Sequence, residues 1–160
     1  NHEMHTEKVV VSLETLIHIK QKLGDPIIPV GTTSMRTLES LYWMALKLKN
    51  GRKEFVVEQW DPYELNQEIE FSTKDAISFL ISYLKEKNLE ELKGETRLLI
   101  APGYCFKFAT GLITNFHQPK STLLLLVSAL IGESWKSAYD FALSNNFRFL
   151  SYGDSCLFLP

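Results

Sequence analysis

The sequence predicts an α/β fold, a layered αβα domain with helices on both faces of a mixed, mostly parallel sheet. Short apolar runs rich in β-branched residues alternate with longer segments in which apolar residues recur every three or four positions. Such alternation of strands and helices is typical of layered α/β domains. The chain has 160 residues, of which 45% are hydrophobic and 22% charged. This composition allows a full core, and the length fits a single domain over residues 1–160.

Strand and helix signals alternate through the first hundred residues. Ser12 can cap the first helix and Gly24 can end it. Ser72 and Asp75 form a capping-box pattern at the start of a later helix. The segment from Glu54 to Phe71 has six acids and no base, so it is expected to be a solvated loop or an extended edge. Strands are expected at 8–11, 27–30, 55–57 and 97–101, and helical stripes within 13–23, 38–48 and 76–84.

The last sixty residues hold only 7 of the 36 charged side chains, so they are expected to be mostly interior or to face another part of a larger protein. Ser121 precedes a helix that is apolar on nearly every side, and an amphipathic helix that includes Leu143 follows it. Strands are expected around 111–114, 147–150 and 156–159. Because the chain opens on Asn1 without an initiator methionine, we expect it to be a piece of a longer protein.

Charge and hydropathy narrow the possible functions. The net charge of −2 provides no overall basic field for nucleic acid, so any such contact must be local. The longest apolar stretch, Leu123 to Ile131, is about half of what a membrane span needs. The sequence has no signal peptide, and Cys105 and Cys156 lack a metal-type spacing. These features predict a reduced, cytoplasmic protein with no membrane partner.

A candidate binding turn follows the second expected strand. The unpaired N–H groups at the start of a helix suit a carboxylate, a phosphate or ribose hydroxyls. Arg36 in the first helical turn opposes the helix dipole, which suggests that it pairs with an anion or with Glu39. An ordinary capped turn between a strand and a helix would show the same spacing. The turn consists of Gly31, Thr32, Thr33 and Ser34.

Histidines near the start of the chain form a second candidate. His2 and His5 precede Glu7, and His117 could join them from a distant loop. Three such ligands would suit a metal-dependent hydrolase. Histidines beside a carboxylate more often serve acid–base or hydrogen-bonding roles, and a solvated chain end is the structural alternative.

Two further clusters lie near the end of the chain. Asn115 and His117 stand just before a buried helix, where a loop at the end of a sheet would place them at a ligand crevice. They could equally satisfy local backbone groups. Arg148 and Asp154 lie in an apolar run, so they form either a buried pair with each other or part of a site.

Five sequence blocks together resemble the S-adenosylmethionine:tRNA ribosyltransferase-isomerase family of queuosine biosynthesis (the QueA family). They occur in the family's order from end to end of the chain. The family's chain is more than twice as long, so the resemblance implies the C-terminal part of its main domain. The N-terminal segment and an inserted small β-barrel domain would be missing. The blocks are His2-x-Met4-His5-x-Glu7, Gly31 to Ser40 (GTTSMRTLES), Pro102-Gly103-Tyr104, Thr114 to Ala129 (TNFHQPKSTLLLLVSA) and Arg148 to Asp154 (RFLSYGD).

The resemblance implies an enzyme that uses S-adenosylmethionine as a ribosyl donor, without a metal. Such enzymes transfer and isomerise the ribosyl group onto 7-aminomethyl-7-deazaguanine in tRNA with a GUN anticodon. The product is epoxyqueuosine-tRNA, and adenine and methionine are released. This chemistry needs a base, a group that holds the departing adenine and a clamp for the methionine carboxylate. We expect cofactor binding by Gly31, Thr32, Thr33, Ser34, Arg36, Asn115 and Tyr152, and catalytic roles for His5, His117 and Asp154.

Some positions depart from the family pattern. Gln118 stands where Leu is usual, Ser155-Cys156 where Ala-Met is usual, and the segment 51–93 is long and acidic. An acidic segment beside an RNA groove would repel phosphate, so a divergent nucleoside- or tRNA-binding homologue without turnover is the alternative function. The charge-poor C-terminal segment would leave an apolar patch exposed, so we also expect the chain to self-associate.

Overall fold

The structure is a computed structural model that describes residues 4–65, 71–118 and 120–160. Helices and strands are interspersed through these ranges, but pairs of helices stand between most of the strands, so the one-by-one alternation that the sequence predicts is not observed. The strands are β1 Glu7–Ser12, β2 Val56–Val57, β3 Glu91–Thr96, β4 Leu112–Asn115 and β5 Ser155–Phe158. The helices are α1 Leu13–Gln21, α2 Thr32–Lys49, α3 Asp61–Glu64, α4 Thr73–Glu86, α5 Thr122–Ile131 and α6 Ser134–Ser144. Within the described ranges, no helix is both long enough and apolar enough to cross a membrane.

The described strands form two separate sheets. In the first, β3 lies between β1 and β2, antiparallel to β1 and parallel to β2. In the second, β4 and β5 are antiparallel, and the segment before α2 joins β4 through a parallel bridge between Val30 and Ile113. The α/β class and the mixed sheet are confirmed. The expected majority of parallel pairs is wrong for the described strands: two helices separate β4 from β5, so the chain re-enters that sheet from the opposite end.

Three of the expected strands are not strands, and one strand was missed. No strand forms at 97–101; β3 lies just before that segment. The outward positions of β3 carry Glu and Lys, so the inward Leu92 and Thr96 do not stand out as an apolar run in the sequence. Residues 98–100 are nevertheless buried. The segment 147–150 forms no strand, and 27–30 is extended but bonds only to the 110–113 segment.

The described part of the acidic segment from Glu54 to Phe71 includes an edge strand, one of the two expectations for it, and is not simply a solvated loop. It contains β2 and α3, and Asp61 is buried. The Asp61 carboxylate accepts hydrogen bonds from Lys47 Nζ at 2.6 Å and from the Glu58 N–H at 2.8 Å. The base that the segment itself lacks therefore comes from α2, and the ion pair holds α3 against that helix. Residues 66–70 of this segment lie outside the described residues.

Helix starts follow the sequence signals closely. The side chains of Ser12 and Ser121 accept hydrogen bonds from the N–H groups of Thr15 and Leu124. Ser72 and Asp75 form the predicted reciprocal capping box on α4. Leu143, which the helical stripe placed inward, is exposed because α6 buries only a narrow face.

The helix α2 is the centre of the core. Its residues 38–46 are all buried, and the helix contacts β3 of the first sheet and β4 of the second. A groove of about 420 Å³ lies between β1 and the extended segment 27–29, with α2 at its floor. No described strand fills this groove, and Val10 on the edge strand β1 is 57% exposed.

We predict that the isolated chain self-associates through the β1 edge and that Val10→Lys shifts it toward monomer. A lysine on an edge strand opposes pairing with a second strand. Light scattering at matched concentrations measures the mass of each variant. Leu143→Lys on α6 is the control, because it removes an equally exposed apolar side chain far from the groove. A monomeric parent chain, or an equal effect of both substitutions, would contradict this interface.

Candidate functional site

The predicted binding turn lies at the start of α2. Gly31 has a φ of +90°, a conformation that glycine adopts readily, and its N–H donates to the Ile113 carbonyl at 2.8 Å. No side-chain hydrogen bond from the N-cap residue covers the first N–H groups of α2. These N–H groups and the hydroxyls of Thr32, Thr33 and Ser34 therefore form a polar start to the helix, as the sequence predicts.

Arg36 does not face this turn as a free anion clamp. Its Nη1 lies 2.9 Å from Glu7 Oε1, and its Nε donates to the Leu98 carbonyl at 2.9 Å. Its Nη2 donates to the His5 carbonyl at 3.5 Å. Burial lowers the pKa of Arg36, and the Glu7 charge opposes that shift. The expected partner Glu39 is therefore wrong: the anion of Arg36 is Glu7, which comes from the first strand.

The carboxylate of Glu7 is satisfied on one side only. Besides Arg36, Glu7 Oε1 accepts a hydrogen bond from the Thr33 hydroxyl at 3.2 Å. The other oxygen, Oε2, is buried and has no hydrogen-bond partner among the described residues. In the sequence, Glu7 stands out only as part of the first family block and as a neighbour of two histidines, since its partners lie 26 and 29 residues further along the chain.

The carboxylate of Glu39 has a different set of partners. Its Oε1 accepts hydrogen bonds from the N–H groups of Phe108 and Ala109, both at 2.9 Å. Its Oε2 accepts from the Lys107 N–H at 2.7 Å and from the Tyr104 hydroxyl at 2.9 Å. Burial raises the pKa of Glu39, and these four hydrogen bonds act against that rise. The loop 104–109 is thereby fixed to α2.

The loop after β4 holds two predicted site residues. His117 Nε2 lies 3.0 Å from the Thr114 hydroxyl, and the His117 N–H donates to the Tyr139 hydroxyl at 3.0 Å. Burial lowers the pKa of His117, so the neutral imidazole is favoured. Asn115 Nδ2 donates to the carbonyls of Gly153 and Asp154 at 3.2 and 3.3 Å.

The segment 148–154 closes on itself. Asp154 accepts hydrogen bonds from the Arg148 N–H at 2.7 Å and from Arg148 Nη2 at 3.4 Å. These bonds, chiefly that from the backbone N–H, hold the pKa of Asp154 below its usual value. The expected pair exists, but it is not buried. Tyr152 at the tip of the segment is 97% exposed.

The turn before α2 and the loop after β4 lie at one edge of the second sheet. Val30 and Ile113 run parallel, so the residues that follow each of them emerge at the same end. Asn115 brings the 153–154 backbone to this edge. His5 lies two residues before β1, and its carbonyl accepts a hydrogen bond from Arg36 of α2.

The proposed metal ligands are not brought together. His2 lies outside the described residues. Across residues 4–65, 71–118 and 120–160, no group of three His, Cys, Asp or Glu side chains could hold a metal ion. His5 and His117 therefore do not share a metal centre with a third described ligand.

An open cleft of about 950 Å³ lies at the start of α5. Its polar lining includes Gln59, whose Oε1 accepts a hydrogen bond from the Met4 N–H at 3.0 Å. Of this lining, Ser121 was noted in the sequence as the residue before the apolar helix, whereas the aromatic walls, Trp60 and Trp135, were not predicted. The available sequence signal for Trp60 was a tryptophan inside an acidic segment; in the structure it is half-exposed.

An α/β domain with polar residues at one sheet edge and an open cleft has the architecture of a ligand-binding domain. The chain belongs to the queuosine biosynthesis protein family, whose family model matches residues 1–158. The resemblance carried by the five sequence blocks is thereby confirmed.

Named relatives agree with this family. The S-adenosylmethionine:tRNA ribosyltransferase-isomerase of Herminiimonas arsenicoxydans is 38% identical over 96% of this chain and 34% of its own length. That of Halothermothrix orenii is 35% identical over 99% of this chain and 36% of its own. A crystal structure of S-adenosylmethionine tRNA ribosyltransferase from Thermotoga maritima matches with a TM-score of 0.60 and 31% identity, over 95% of this chain and 40% of that chain. The chain thus spans about a third of the length of its curated relatives.

We predict that Arg36→Met lowers the free energy of unfolding by about 3 kcal/mol, because it leaves the Glu7 carboxylate without its countercharge. Urea denaturation of both proteins measures the difference. Arg148→Met is the matched control, since Arg148 pairs with Asp154 at the surface and its loss changes stability far less. An unchanged midpoint for Arg36→Met would contradict a structural ion pair.

We predict that stability falls as the pH decreases from about 7 to about 5, and that His117→Gln flattens this slope. Burial lowers the pKa of His117 in the folded chain, so the unfolded chain takes up the proton first. The stability that neutral His117 contributes is fully present above its pKa in the unfolded chain, about 6.5, and is lost as the pH falls toward its lower pKa in the folded chain. Melting curves across this range test it. His18→Gln on the exposed face of α1 is the control. If stability depends on pH as steeply in His117→Gln as in the parent chain, the pH dependence does not come from His117.

Proposed function

We propose that the protein of which this chain forms about a third is an S-adenosylmethionine:tRNA ribosyltransferase-isomerase. It would transfer and isomerise the ribosyl group of S-adenosylmethionine onto 7-aminomethyl-7-deazaguanine in tRNA with a GUN anticodon. Epoxyqueuosine-tRNA would form, and adenine and methionine would leave. The observation that carries the proposal is the match to relatives of this name along nearly the whole chain. A tRNA substrate implies a cytoplasmic location.

In this proposal the chain contributes one α/β domain that binds the ribosyl donor at the sheet edge. The first N–H groups of α2 suit a carboxylate or ribose oxygens, because the helix dipole favours negative charge there. A neutral imidazole accepts a proton, and the lowered pKa of His117 supports that role. The proposed binding residues are Gly31, Thr32, Thr33, Ser34, Asn115 and Tyr152, and the proposed acid–base residues are His5, His117 and Asp154.

Arg36 would act through Glu7 rather than on the ligand. Its guanidinium joins the start of β1, the Leu98 carbonyl and α2, so it fixes the relative positions of these elements. No metal takes part in the proposed reaction, and the proposed acid–base chemistry needs only side chains.

We predict that the full-length protein releases adenine and methionine from S-adenosylmethionine only when tRNA carrying 7-aminomethyl-7-deazaguanine is present. We expect the isolated 160-residue chain to be inactive, because an incompletely enclosed site is wet and its electrostatic contacts are weakened. Chromatography measures the adenine that each of the two proteins releases, with unmodified tRNA as the control.

Two results would overturn parts of this proposal. Tight binding of the modified tRNA by the full-length protein without adenine release would favour the non-catalytic homologue. Adenine release by the isolated chain would show that this third of the protein holds the complete site.

A further inference from the structure

Glu7 places a carboxylate on the inward face of a strand. Side chains alternate along β1, and Glu7 shares its face with Val9 and Val11, both of which are buried. The residue opposite Glu7 on β3 is Thr96, which is also buried. A charged group in this position is costly unless its oxygens are hydrogen-bonded.

The neighbours of Glu7 satisfy only one of its two oxygens. Oε1 binds Arg36 and the Thr33 hydroxyl. The other donors of Arg36 point to the carbonyls of Leu98 and His5. Oε2 is buried with no donor from the described residues. The site therefore has a buried acceptor that none of the described residues satisfies.

The charge balance selects the kind of donor. Arg36 already neutralises Glu7, and its side chain is only 5% exposed. A second cation at Oε2 would be repelled by the buried guanidinium, whereas a neutral hydroxyl would not. In dinucleotide-binding α/β folds an acidic side chain takes such a role toward a ribose hydroxyl.

We propose that Glu7 is a substrate-binding residue, whose Oε2 accepts a hydrogen bond from a ribose hydroxyl of S-adenosylmethionine. The proposal rests on the proposed function. The Glu7 side chain is 26% exposed, and Thr33 and His5, which neighbour it on α2 and along the chain, are both exposed. Because Oε2 itself is buried, a small rotation of the Glu7 carboxylate is needed to bring it to a hydroxyl that enters at the start of α2.

The test pairs one protein change with one ligand change in the full-length protein. Calorimetry gives the dissociation constants of S-adenosylmethionine and of its 2′-deoxy, 3′-deoxy and desamino analogues. The parent protein should bind one deoxy analogue about tenfold to a hundredfold more weakly than S-adenosylmethionine, which is the loss of a hydrogen bond to a charged group. In Glu7→Gln, whose amide oxygen can still face Arg36, this discrimination should shrink to about threefold or less.

Two further variants separate binding from folding. Glu95→Gln, on the exposed face of β3, is the matched control and should keep the parent discrimination. The double variant Glu7→Met with Arg36→Met replaces the ion pair by apolar side chains of similar length, an exchange that buried pairs often tolerate. It should lose discrimination even if Glu7→Gln alone melts early, and melting curves are recorded for each protein.

Three results would overturn the proposal. If the parent protein binds both deoxy analogues as tightly as S-adenosylmethionine, a ribose contact at Glu7 is excluded. A uniform loss of affinity for every ligand in both Glu7 variants shows a purely structural role. A loss specific to the desamino analogue assigns Oε2 to the ammonium group instead. A fourth result, a folded parent protein that binds no S-adenosylmethionine at all, would contradict the proposed function itself. The other three results contradict only the role of Glu7.

Discussion

The buried carboxylate of Glu39 holds together the parts of the chain that meet at the candidate site. It accepts four hydrogen bonds from the loop 104–109, and its Tyr104 partner in turn accepts one from Trp43 Nε1 at 2.9 Å. A buried carboxylate without these donors would cost several kcal/mol, so the loop and α2 are stable only in contact with each other. Because this loop leads directly into β4, the same bonds set the position of β4 against the start of α2.

Other polar side chains of α2 fix other elements in the same way. Arg36 binds the start of β1 and the Leu98 carbonyl. Ser40 forms a hydrogen bond with Thr96 of β3 at 2.7 Å, and Lys47 forms an ion pair with Asp61 of α3. Each contact joins the helix to a segment far away in sequence. Apolar packing alone would leave these segments free to shift along the helix, whereas each paired polar group permits one register.

Local signals in the sequence predicted much of the fold, because a cap or an apolar stripe depends on residues a few positions apart. The Ser72–Asp75 capping box and the stripe of α4 are examples. Long-range pairing was not predictable: nothing near Arg36 indicates that its anion is Glu7, and nothing near Asp61 indicates Lys47. The strand β3 was missed because its outward face is charged. The turn Gly31–Ser34 was found because its glycine and hydroxyls are adjacent, whereas the cleft wall at Trp60 depends on chain folding.

The position of α2 between two separate sheets also restricts how this protein can change over time. A residue in the middle of the helix must suit whatever each sheet presents to it, so a new side chain that fits one sheet still has to be accommodated by the other. Amino-acid substitutions in the middle of this helix therefore require compensating substitutions in distant parts of the chain. The outer face of α6, which leaves Leu143 and Phe141 exposed, carries no such double requirement and can accept new residues one at a time.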